Sequence, residues 1–63
     1  PVILLTAPNV GRAGIVIQDH EDNQVDIHLF ADTPEATFEI VTHIPKIGGP
    51  GIQATYPCWT FPA

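Results

Sequence analysis

Apolar residues along this chain recur in short runs with a period of two, not with the three-to-four spacing of a helix. The clearest run is Gln24-Val25-Asp26-Ile27-His28-Leu29-Phe30, where Val25, Ile27 and Leu29 share one face and Asp26, His28 and Phe30 share the other. Just upstream, Ile15-Val16-Ile17-Gln18 forms a second apolar run, and the polar segment Asp19-His20-Glu21-Asp22-Asn23 separates the two. Two such runs joined by a short polar segment predict a β-hairpin over residues 15–30. Gly14 enters that second run, and a glycine inside a strand predicts a bulge or a close backbone approach.

The same reading extends to both ends. Val2-Ile3-Leu4-Leu5-Thr6 predicts a strand buried on both faces, ended by the turn formers Pro8 and Asn9. A second turn is predicted at Asp32-Thr33-Pro34-Glu35. A third long strand follows over residues 36–43, with Phe38 and Ile40 inward and Thr37 and Glu39 outward. Residues 44–51 carry Pro45, Pro50 and three glycines, and predict an extended loop. A short strand is predicted over residues 52–56, and residues 57–63 form an extended aromatic tail. Five short strands with tight turns predict an all-β domain, a small SH3-like five-stranded barrel with extended N- and C-terminal arms. The whole chain is one domain, with a core over about residues 10–56 and a C-terminal arm over 57–63.

Composition strengthens this and narrows the function. Eight Ile and five Val against three Leu and no Met favour strands, and seven Pro and five Gly interrupt every window a helix would need. A chain of 63 residues hides only about 60% of the surface its unfolded form exposes. Folds this small add disulfides, a metal or oligomerisation. Cys58 is the only cysteine and cannot form an internal bridge, so a homo-oligomer is expected, a trimer favoured. Arg12 and Lys46 face seven acidic residues for a net charge of −5. Nucleic-acid binding draws on clustered Lys and Arg, so this balance argues against it, and against anionic membrane surfaces. The longest apolar run, residues 2–5, is too short for a membrane span or a signal-peptide core. Pro1 and the absence of Met fit removal of an initiator, and hence synthesis in a host cytoplasm.

Two stretches carry a family resemblance. Arg12-Ala13-x-Ile15-Val16-Ile17, a polar turn, and Val25-Asp26-Ile27-His28-Leu29-Phe30-x-Asp32 resemble the central strands of a small protein widespread in tailed bacteriophages. Cys58-Trp59-Thr60-Phe61-Pro62 is similar to the Trp-rich end of that group. The resemblance covers about half the chain, residues 12–32 and 58–62. It departs at Gln18-Asp19, where a Trp often precedes the turn, and at Asp32-Thr33-Pro34, which replaces an Asp-Gly turn. The resemblance implies a virion-associated protein with an SH3-like fold.

Candidate chemistry is sparse. Asp26 and His28 lie two apart on one strand face, a spacing that sets two metal ligands side by side, with His43 or His20 as a third. As a scattered polar set they read as solvated surface. Cys58 between Pro57 and Trp59 reads as a structural thiol, with no nearby cation or helix end to activate it. Gly48-Gly49-Pro50-Gly51 lacks the Lys-Ser/Thr of a phosphate loop, and Asp19, Glu21 and Asp22 lack the length of a calcium loop. The expectation is therefore a chain with no catalytic residues, cofactor or metal. Its contact residues would be Val2, Ile3, Leu4, Leu5, Tyr56, Trp59 and Phe61, set on the apolar first strand and the aromatic tail. The expected function is a non-enzymatic virion structural protein, a capsid decoration (cement) protein that self-associates and clamps neighbouring shell subunits. Its partner would be a major capsid or other virion protein. The alternative is a small SH3-like module docking on a host or phage protein or, as the lesser option against the charge balance, on nucleic acid.

Overall fold

A computed structural model of the chain describes residues 1–31 and 39–63. Among the described residues there are five strands: β1 (Val2–Ala7), β2 (Val10–Asp19), β3 (Val25–Leu29), β4 (Glu39–Ile44) and β5 (Cys58–Thr60). They form one sheet in the order β4-β3-β2-β1-β5, every neighbour antiparallel. The sheet curls into a half-barrel, the all-β architecture expected of a small SH3-like fold. Its two outer strands approach at one end. There Lys46 bridges Trp59 in parallel, Trp59 N donates to Pro45 O at 2.9 Å, and Ile47 N donates to Trp59 O at 2.8 Å. Among the described residues the only helical element is a 3-10 turn at Glu21–Asn23, and no helix is long and apolar enough to cross a membrane.

The core lines the concave side. Val2 and Leu4 of β1, Val25, Ile27 and Leu29 of β3, Ile44 of β4 and Trp59 of β5 are buried, with Val16 and Val41 packed against them. The alternation read for β3 places its three apolar residues inward. Close backbone approach explains Gly14. A Cβ there would lie 2.6 Å from Ile27 Cγ2 and 2.8 Å from His28 O. The strand bulges not at Gly14 but at Ile17, between the pairs Val16–Ile27 and Gln18–Asp26.

Two expectations need correction. Ile40 was expected inward but is 58% exposed, because its partner across the ladder is His28 on the outer face. Glu39, expected outward, is exposed; it stands opposite Leu29 in the ladder and its carboxylate pairs with Arg12 at the rim. Between Val25–Ile44 and Ile27–Val41 a bulge sets Thr42 and His43 against the single residue Asp26. That extra residue changes the phase of β4, so Val41 and Ile44 turn inward. Residues 52–56 are not a strand, and Ile52 is exposed with its amide donating to Gly49 O in a turn. The fifth strand is Cys58–Thr60, which finds a partner in β1. The turn expected at residues 32–35 and the inward Phe38 lie outside the described residues.

Both terminal segments are therefore strands of the sheet. β1 sits between β2 and β5, with Leu4 opposite both Arg12 and Trp59. A peptide bond in cis joins Tyr56 to Pro57 ahead of β5.

Candidate functional site

Two features of the surface stand apart from the core. The first is the outer, convex side of the sheet. Ile15 of β2, His28 of β3 and Ile40 of β4 stand in register across three strands. Phe30 follows one step on, its amide donating to Ala13 O at 2.9 Å. Ile15 is 49% exposed, Phe30 45% and Ile40 58%. Ile17, thrown out of the ladder by the bulge in β2, extends the same apolar area.

Of the expected contact residues, Val2, Leu4 and Trp59 are used inside the chain's own core. Ile3, Leu5 and Tyr56 are half-buried and Phe61 is exposed. The Phe61 ring meets Trp59 edge-on, 5.2 Å between centroids, and Lys46 Nζ lies 5.3 Å from the Phe61 ring and 5.6 Å from the Trp59 ring. Such stacking keeps the cation beside the aromatic pair. Arg12 is committed as well, bonded to Glu39 and to Phe30 O. Neither cation belongs to a basic patch.

The second feature is a cluster at the end of the sheet. His20 leaves β2 into the hairpin turn, Asp26 sits near the start of β3, and His43 lies in β4. His20 Nε2 is 2.8 Å from Asp26 Oδ1, and the backbone amide of His43 donates to the same oxygen at 2.9 Å. The two imidazoles stack, 4.0 Å between centroids and 13° between planes. His43 has φ of +54°, a left-handed backbone that costs a non-glycine residue on the order of 1–3 kcal/mol. The bulges of β2 and β4 fall on either side of Asp26, and bulges commonly re-aim a side chain. The His43 amide is the main cause that holds the Asp26 carboxyl below its ordinary value; desolvation opposes it, and the His20 ring adds to the lowering.

Beside the cluster opens a cavity of about 330 Å³ lined by His20, Glu21, Asp22, Gln24 and His43. The turn is closed by His20 N donating to Gln24 O at 2.8 Å. Trp59 Nε1 donates from β5 to Asn23 O at 2.8 Å, which anchors the turn to the core.

The sequence put Asp26 with His28 and offered His43 or His20 as a third ligand; the structure sets both His20 and His43 beside Asp26 and leaves His28 out. His28 belongs to the apolar row on the outer face, and His20 takes its place beside Asp26. The signal available was the hairpin: His20 and Asp26 flank one short turn, so a register that pairs Gln18 with Asp26 brings them together. Cys58 is 1% exposed and burial pushes its thiol above the ordinary value, in keeping with a structural role.

No protein-family model, curated protein or solved structure matches the chain.

Proposed function

We propose that this chain is a non-enzymatic structural protein that assembles with copies of itself through the outer face of its half-barrel. The carrying observation is the outer-face row Ile15–His28–Ile40, in register across three adjacent strands, whose two isoleucines are exposed on either side of His28 with exposed Phe30 one step on. Contiguous apolar area of this kind marks an interaction surface.

The finer reading is a virion component, a capsid decoration protein that self-associates and clamps neighbouring shell subunits. The resemblance to small tailed-phage proteins supports it, together with the acidic balance. A trimer is the favoured assembly. The engagement of Arg12 with Glu39 and of Lys46 with the aromatic pair supports a protein partner over a nucleic acid.

Light scattering on the untagged chain over a range of concentrations tests this, alongside an Ile15→Ser/Ile40→Ser variant. Both positions are exposed, so the variant keeps the fold. The expected result is a closed oligomer that the double substitution converts to monomer. A native chain that is monomeric throughout and does not bind assembled shells would favour the docking-module alternative. Deleting residues 57–63 would not discriminate, because it removes β5 and Trp59 from the core.

A further inference from the structure

We propose that His20, Asp26 and His43 form a binding site for one divalent transition-metal ion of the zinc type. One nitrogen from each imidazole and one carboxylate oxygen would hold it. These three residues offer ligand atoms that all lie within 4.8 Å of one another. In a tetrahedral site with bonds of about 2.0–2.2 Å, ligand atoms stand roughly 3.4 Å apart. Small rotations of three side chains therefore suffice. The ion takes the place of the direct contact between His20 Nε2 and Asp26 Oδ1, now 2.8 Å.

The donor set narrows the metal. Two imidazoles and a carboxylate suit Zn²⁺ and its neighbours, whereas Ca²⁺ and Mg²⁺ take all-oxygen shells and Cu⁺ wants sulfur. The only thiol, Cys58, is buried in β5. Three protein ligands leave a fourth position, and the adjoining cavity, bordered by Glu21 and Asp22, supplies room for water or a carboxylate there.

Backbone and topology point the same way. The ligands come from three separate places, the turn after β2, strand β3 and strand β4. Both strands that flank β3 bulge opposite Asp26, and His43 is held in the left-handed region. Regular pairing would not present this His-Asp-His set at the end of the sheet. An ion there ties the β2–β3 hairpin to β4, a cross-link of the kind small domains without disulfides use.

The test uses the untagged, chelator-treated chain titrated with Zn²⁺ by calorimetry, with Co²⁺ absorption as a second readout of ligand geometry. The variants are His20→Gln, Asp26→Asn and His43→Asn, the last chosen because asparagine tolerates a positive φ. His28→Gln is the control. The native chain and the control should bind one ion per chain, with a rise in melting temperature. Each ligand variant, shown to be folded by circular dichroism, should lose affinity by roughly 100-fold or more, beyond the range seen for outer-shell changes. If His43→Asn does not fold, His20→Gln carries the test, because His20 lies outside the strand ladder. Native protein without saturable one-to-one uptake would overturn the proposal. Unchanged affinity in His20→Gln would do the same, since uptake would then be adventitious binding at surface histidines.

Discussion

Replacing Trp59 with phenylalanine separates two uses of the C-terminal aromatic segment, as a strand of the chain's own sheet or as an anchor for a partner. Trp59 is 6% exposed, stands opposite Leu4, and donates its indole N–H to Asn23 O at 2.8 Å. Phenylalanine keeps a ring but has no donor. The lost hydrogen bond costs about 0.5–1.5 kcal/mol. Some 40 Å² less buried apolar surface, at about 25 cal/mol per Å², costs roughly 1 kcal/mol more. Together that is about 2 kcal/mol, against a total stability of roughly 3–9 kcal/mol for a chain of this length. Each kcal/mol moves the midpoint of a domain this small by about 4–8 °C, so the melting temperature should fall by about 8–16 °C. Far-UV circular dichroism at fixed protein concentration reads this, fixed because self-association makes the midpoint concentration-dependent. Trp59→Ala, which removes about 3–5 kcal/mol, should leave the chain largely unfolded if its stability lies at the low end of that range. A Trp59→Phe chain that melts like the native protein but no longer self-associates would refute the placement of β5. Trp59 would then serve a partner and not the core.

Gly14→Ala should lower the urea midpoint by the equivalent of about 1–3 kcal/mol, because the new methyl meets the His28 carbonyl, which cannot swing aside as a side-chain tip can. An unchanged midpoint would contradict the close approach of β2 and β3. Cys58 should resist a thiol reagent in native protein and react fully in urea, and equal rates in both would show that the thiol is not buried. Its folded pKa lies above its unfolded one, so the associated stability is intact at neutral pH. It is lost as pH rises above about 8.5, where the unfolded thiol ionises first. Cys58→Ala should lack this alkaline loss, seen as a flatter profile of midpoint against pH.

The sequence by itself determined what could be read from neighbours along the chain. Alternation over residues 24–30 specified β3 and its buried face, because side chains in a strand alternate whatever lies beside them. The polar run 19–23 specified the hairpin turn, and Gly14 marked a close approach. The lone cysteine and the β-branched composition specified a small all-β domain without disulfides. The tertiary structure decided everything that depends on which strand lies next to which. Ile40 faces out and Val41 in because β4 pairs with His28 and Ile27 in that register, and an offset of one residue exchanges the two faces. Cys58–Thr60 became the fifth strand, and residues 52–56 did not, because a strand needs a ladder partner and β1 offered one. The members of the His20–Asp26–His43 cluster were legible as candidates, but which of the three histidines join Asp26 was not, for the same reason. Two bulges, invisible in a period-two pattern, move His43 beside Asp26 and leave His28 on the outer face.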